Sequence, residues 1–167
     1  MDPQAKKTAL RMIPYGIYVL GASDGNGAVA AATVNWVTQT SFAPPMVAVA
    51  LRADSAVCAV TKAAGAFAVN CLGKHHRDLA FTFFRPSETS DGTLNGHAYR
   101  SGRSGAPLLD EAIAAMECRV VAVVEEGDHH VFVGEVIDAH LATTHEGRPD
   151  AATLEMKDLG ETVFYGG

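Results

Sequence analysis

Read for its alternation of apolar and polar positions, the chain divides into short runs separated by turn chemistry. Residues 3–12 repeat apolar positions at helical spacing, with Pro3 in the first turn and Pro14 just past the end, which predicts a short amphipathic helix that caps the fold. Residues 15–20 read as a strand, and the turn Ser23-Asp24-Gly25-Asn26-Gly27 brings residues 28–35 back antiparallel to it. Ala31 to Pro45 crowds small and short polar side chains together, as a strand running into a Ser/Thr-rich turn that stops at Pro44-Pro45. The run 46–51 lacks clean alternation and predicts an interior strand covered on both faces.

Asp54 or Ser55 can cap a helix over 56–64, Gly65 fits its C-terminal stop, and 67–72 is the next strand, giving a strand-helix-strand unit. A second helix is predicted over 74–84. Residues 85–105 then form a long polar excursion bearing glycines, the kind of segment that serves as a lid, a partner contact or a mobile loop. Two long strands, 116–125 and 130–141, follow with 126–128 as their turn, and the tail 143–167 is less periodic. Many strands and few helices imply a mainly β fold with flanking helices, in the form of an antiparallel barrel.

At 167 residues the chain suits a single domain, 1–167, with a sizeable core, and 48% hydrophobic against 19% charged residues excludes disorder over most of it. Thirteen basic and nineteen acidic side chains give a net charge of −6 without a Lys/Arg cluster, which argues against nucleic acid or a membrane as partner. Cys58, Cys71 and Cys118 form no C-x-x-C pair, and their odd number suits a reducing compartment, so the cytoplasm is expected. Neither a signal-peptide run nor a membrane-spanning stretch is present in the sequence.

Few residues announce chemistry by spacing alone. The pairs His75-His76 and His129-His130 are adjacent, so their side chains diverge, and no Cys stands at finger-like spacing; no metal site is expected. No G-x-G-x-x-G follows a strand, because 21–27 joins two strands, so a nicotinamide dinucleotide would bind without a Rossmann domain. Ser55 at a helix start is either an ordinary cap or an anion site, and His129 is either a solvated turn histidine or a titratable group in a site.

The order of the stretches Ala31–Pro45, Arg52-Ala53-Asp54-Ser55, Gly65-Ala66-Phe67-Ala68-Val69-Asn70, Gly105-Ala106-Pro107-Leu108-Leu109 and the Gly127-Asp128-His129 turn with the strand after it resembles the flavin reductase-like family of FMN-binding split barrels. The closing Tyr165-Gly166-Gly167 also looks familial. The resemblance implies a split β-barrel that binds FMN, or FAD as some relatives do. It implies hydride transfer from NAD(P)H to that flavin, a homodimer, and a partner monooxygenase supplied with reduced flavin. Carried over residue by residue, Thr33, Val34, Asn35 and Trp36 would line the flavin, and Ala50, Leu51, Arg52 and Ser55 would lie by its ring and phosphate. Thr38 and Ser41 complete the polar stretch, and His129 would stand near the nicotinamide. Each has a plainer alternative: Arg52 as a solvated strand end, Trp36 as a core or interface anchor, Thr38 and Ser41 as local turn residues. An FMN carrier or electron-transfer module without reductase turnover, and a barrel that has lost flavin, are the competing functional classes.

Overall fold

The structure of the protein is a computed structural model describing residues 1–142 and 147–166; of the tail, residues 143–146 and 167 lie outside the described residues. Helix α1 (Pro3–Arg11) opens the chain, capped by the Asp2 carboxylate, which accepts from the amides of Gln4 and Ala5. Every residue of α1 is exposed, so the helix does not cap the barrel as its pattern implied. Ala5, Ala9 and Leu10 supply too little apolar surface to hold it against a core.

Strands β1 (Tyr18–Ser23) and β2 (Val29–Val34) form the expected hairpin, with Leu20 opposite Ala32. Asp24 closes the turn by accepting from the amides of Asn26 and Ala28 at 2.8 and 3.0 Å. The Ser/Thr-rich stretch that follows is not a turn: it is strand β3 (Val37–Phe42), paired antiparallel with β4 (Pro45–Arg52). Thr38, Gln39 and Thr40 can be polar within a strand because β3 is a sheet edge open to water on its flanks. In β4 the burial alternates after all, with Val47, Val49 and Leu51 inward and Ala48 and Ala50 half-buried on the other face; the small alanines hide the period in the sequence.

Helix α2 (Ala56–Ala64) and strand β5 (Ala66–Cys71) match the expected positions, and α2 ends at Gly65 with φ of +63°. Strands β4 and β5 are not neighbours, however. Helix α3 (Arg77–Thr82) is shorter than expected, because Gly73 and Lys74 give their amides to His76 Nδ1 and to the tail carbonyl of Ala152. The excursion is not a loop but a four-stranded sheet, β6 (Thr89–Ser90), β7 (Thr93–Leu94), β8 (His97–Ser101) and β9 (Pro107–Leu109). Its apolar residues are spaced too widely to show in a local pattern, yet Leu94, Ala106 and Leu108 are fully buried. Strands β10 (Ala114–Val124) and β11 (His129–Leu141), a tail helix α4 (Pro149–Ala152) and a 3-10 turn (Met156–Leu159) complete the described elements.

The main sheet is antiparallel throughout, in the order β2-β1-β5-β10-β11-β4-β3. Its edges, β2 and β3, are consecutive in sequence and joined only by Asn35 and Trp36. Laid flat, six strand spacings would hold them about 29 Å apart, whereas three Cα steps from Val34 to Val37 reach ~11 Å at most. The sheet must therefore curl. Backbones of β2 and β4 accordingly approach within 8 Å, and Leu20, Val34, Val49, Leu51, Phe67 and Phe132 form one core inside the curl, closed below by Val57 of α2. The edges are not hydrogen-bonded to each other, so the architecture is a split barrel rather than a closed one. A second core, with Ile17, Leu72, Phe83, Leu94, Leu154 and Leu159, binds α3, the small sheet and the tail to the outside. None of the described helices is long and apolar enough to cross a membrane.

One buried charge fastens the small sheet to the barrel. Glu117 of β10 is fully buried and accepts from the amide and hydroxyl of Ser104, both at 2.6 Å, and lies 2.7 Å from His140 Nε2. Burial pushes its carboxyl upward, but the bonds from Ser104 and then His140 outweigh it and hold the group at about 2, against an ordinary 4.5. A carboxyl held low in the fold stabilises it fully above the unfolded value and loses that contribution as pH falls through the folded one. Glu117→Ala is expected to cost about 2–4 kcal/mol in denaturant unfolding at neutral pH, since it strands buried donors. The deficit should shrink as the pH drops from about 5 towards 2, and a deficit independent of pH would remove the charge from this account.

Candidate functional site

The two-residue join between the sheet edges places Asn35 and Trp36 at one end of the barrel, beside the ends of β4 and β11. Trp36 accepts at its carbonyl from the Ala50 amide, 3.0 Å away. In the β4–β11 ladder Arg52 stands opposite His129, and Ala50 opposite Val131. The His129 ring packs on the Trp36 indole, with centroids 4.6 Å apart and planes at 54°. A third ring arrives from the tail: Tyr165 lies 5.6 Å from Trp36 and 5.8 Å from His129.

Both nitrogens of His129 are engaged. Nδ1 lies 2.8 Å from the Asp128 carboxylate and Nε2 lies 2.7 Å from the Tyr165 hydroxyl. A carboxylate only accepts, so Nδ1 carries the proton in the neutral ring and Nε2 accepts from the phenol. The bond from His129 holds the Asp128 carboxyl below its ordinary value. Burial raises the Tyr165 phenol, against the pull of the nearby Arg52 cation. Asn35, itself buried, donates from Nδ2 to the Tyr165 carbonyl at 3.2 Å, and Arg11 Nε donates to the Gly166 carbonyl at 3.4 Å. The indole Nε1 of Trp36 is buried and has no hydrogen-bond partner among the described residues.

Next to these rings lies the start of α2. Ser55 caps it, accepting from the Cys58 amide at 3.3 Å and donating to the Arg52 carbonyl at 2.6 Å. The other first-turn amides have no acceptor inside the helix, and the helix dipole adds positive potential there. Arg52 is exposed and its Nε lies 2.6 Å from Asp54, leaving the guanidinium able to turn towards an anion. Asn35, Trp36, Ala50, Arg52, Ser55 and His129 are thus brought together at one end.

The remaining expected residues are placed differently. Thr33 spends its hydroxyl on the Ala80 carbonyl at 2.6 Å and its amide on Phe83, both from the α3 side. Val34 and Leu51 face the barrel core. Thr38 and Ser41 stand opposite Ala48 and Met46, two and five residues beyond Trp36 along β3, which puts them ~7 and ~16 Å from the nearest member of the ring cluster. Sequence reasoning did not assign Asp128 or Tyr165 a role; Asp128 is visible as the neighbour of a turn histidine, whereas Tyr165 reaches the site only through tertiary structure. His130 turns away, with Nδ1 3.8 Å from Cys58 Sγ.

Other reactive groups offer less. Burial raises all three thiols, Cys71 to about 11 and Cys118 to about 12, so they are poor nucleophiles at neutral pH. Glu117, Asp138 and His140 bring ligand atoms within 4.8 Å of one another, but Glu117 already has its oxygens bonded to Ser104 and His140.

The sequence and the fold have parallels among known proteins. A family model described as flavin reductase like domain matches residues 10–157. The chain is 33% identical over 135 residues to a probable flavin reductase of Rhizobium meliloti, covering 81% of this chain and 42% of that one. It is 34% identical over 128 residues to the reductase component of a 4-nitrophenol 4-monooxygenase/4-nitrocatechol 2-monooxygenase of Rhodococcus opacus, covering 77% and 66%. It therefore spans between two fifths and two thirds of the length of these relatives. Among solved structures it superposes on the Streptomyces globisporus NADH:FAD oxidoreductase SgcE6 with a TM-score of 0.71 at 28% identity, covering 84% of this chain and 86% of that one. With the family model spanning nearly the whole fold and the split barrel shared, the chain belongs to the flavin reductase like family.

Proposed function

We propose that the chain, acting as one domain, is an NAD(P)H-dependent flavin reductase whose site is the barrel end carrying Trp36, Arg52, Ser55 and His129. The observation that carries this reading is the juxtaposition of an anion-favouring helix start with a fixed histidine and an indole. A flavin mononucleotide asks for those three things: donors at its phosphate, polar groups at its edge and a flat apolar surface for its ring. The unpartnered Trp36 Nε1 fits a bound polar ligand, since a buried donor without an acceptor is costly in the free protein. FMN is the expected flavin, and FAD is the variant named for the S. globisporus protein.

When bound, a flavin would supply the electron-accepting chemistry for a hydride from the nicotinamide. Residues of this chain then bind and orient. The first turn of α2, Ser55 and Arg52 hold the phosphate; Trp36 and Ala50 give the ring its wall. His129, with its proton fixed at Nδ1 by Asp128, orients the nicotinamide through Nε2. Alignment of the two rings and exclusion of water are the main contribution a protein makes to this step. Delivery of reduced flavin to a partner monooxygenase is supported by the role named for the R. opacus relative. Pairing of two copies is supported by edge strand β3, where Phe42 is 90% exposed. A reducing, cytoplasmic setting accords with the three free thiols.

The direct test is the visible spectrum of the protein after FMN is added and excess removed, followed by anaerobic NADH or NADPH. Retained absorbance that bleaches on either addition is expected; flavin retained but never bleached would mean a carrier, and no retention with no bleaching of free flavin would defeat the reading. Ser55→Ala should weaken FMN binding about tenfold by removing a hydroxyl and loosening the helix start, as read by flavin fluorescence quenching. Unchanged affinity in the folded variant would take Ser55 out of the phosphate site. His129→Ala should raise the KM for the nicotinamide at least tenfold while changing FMN affinity little; steady-state kinetics indistinguishable from the parent would exclude it.

A further inference from the structure

Trp36 and His129 set a donor beside an acceptor on neighbouring rings. The indole can only donate, and its Nε1–H is buried without an acceptor among the described residues. In the neutral imidazole, whose proton Asp128 holds at Nδ1, Nε2 accepts, and its lone pair is taken by the Tyr165 hydroxyl at 2.7 Å. The covering of both atoms is the work of one short segment. Gly166, at φ of +114°, lies against the indole so closely that an added Cβ would stand 3.5 Å from Nε1. Tyr165 and Gly166 lie over Nε1 yet aim no acceptor at it.

The cover is lightly held. Tyr165 remains 49% exposed. Besides its phenol contact, its polar ties are the bonds from Asn35 to its carbonyl and from Arg11 to the Gly166 carbonyl, at 3.2 and 3.4 Å. Lifting Tyr165 and Gly166 would free one donor and one acceptor together on neighbouring rings whose centroids are 4.6 Å apart.

A primary carboxamide presents the complementary pair, a carbonyl oxygen that accepts and an amide nitrogen that donates, on one planar group. Resting on the reductase reading above, we infer that Trp36 Nε1 and His129 Nε2 recognise the carboxamide of the nicotinamide, and that the Tyr165 hydroxyl holds the place of its amide nitrogen in the free protein. Tyr165 is then a positioning and selecting residue rather than a catalytic one: it keeps Nε2 paired and must yield to the cosubstrate. A carboxylate in place of the carboxamide has no donor for Nε2 and meets its lone pair with repulsion. A methyl ketone keeps the contact to Trp36 and loses the one to His129.

Because Trp36 is the only tryptophan in the chain, its fluorescence reports on the site directly. The protein without added flavin is titrated with nicotinamide mononucleotide and with nicotinic acid mononucleotide, in the parent and in Tyr165→Phe. Saturable quenching by the carboxamide is expected, with the carboxylate binding at least tenfold more weakly, the scale of one lost hydrogen bond in a closed site. Tyr165→Phe keeps the ring and removes the competitor, so it should bind nicotinamide mononucleotide about threefold more tightly. In steady-state flavin reduction its KM should fall for NADH and, by the same factor, for the reduced 3-acetylpyridine analogue, since both must displace the same cover. The parent and the variant alike should keep a higher KM for the analogue, which lacks the contact to His129. Equal affinity for the two mononucleotides, no saturable quenching, or a Tyr165→Phe variant that loses affinity for both donors alike would overturn the inference. The comparison of ligands on the parent protein stands even if the variant does not fold. A protein that discriminates the mononucleotides but never bleaches flavin would instead overturn the reductase reading and leave the carboxamide pair in place.

Discussion

The covalent join of two residues between the sheet edges governs this molecule. Asn35 and Trp36 tie the first strand of the sheet order to the last, and a seven-stranded sheet so tied cannot lie flat. Curling turns the inward faces of β1, β2, β4 and β11 upon one another and makes their core. The same join leaves an indole and an amide at the seam, where regular pairing ends. A site grows there because backbone and side chains at the seam are not consumed by the ladder.

Charge is managed locally. The chain is acidic overall, with a net charge of −6, and the ring cluster is bordered by Asp54 and Asp128. Attraction of an anionic ligand must therefore come from short-range features, the α2 start and the Arg52 guanidinium, rather than from the field of the whole protein. Glu117 shows the other use of a charge: deep burial is tolerated because Ser104 and His140 meet its oxygens, and the reward is a fixed attachment of β8 and β9 to the barrel.

How much of this could be read from the residues depends on the range of the forces that fixed them. The β1–β2 hairpin, the β10–β11 hairpin and helix α2 with its Ser55 cap and Gly65 stop follow from turn and cap chemistry within a few residues, and they were legible. Strand β3 was not, because an edge strand exposed on its flanks carries Thr38, Gln39 and Thr40 without the alternation that marks a half-buried strand. The small sheet escaped for a related reason: Leu94 and Leu108 are buried by contact with distant elements rather than by a local pattern. Of the site, the cluster of Arg52, Ser55 and His129 was within reach of motif reasoning. The pairing of His129 with Tyr165 was not, since nothing local to either residue specifies the other.

That long-range closure has a consequence for the order in which the protein folds. The hydrogen bond from Asn35 to Tyr165 spans 130 positions, and Leu154, wholly buried, takes its place between the chain preceding β1 and the chain following β5. The barrel can curl once β11 is in place, but its indole stays uncovered until Tyr165, from the far end of the chain, has docked upon it.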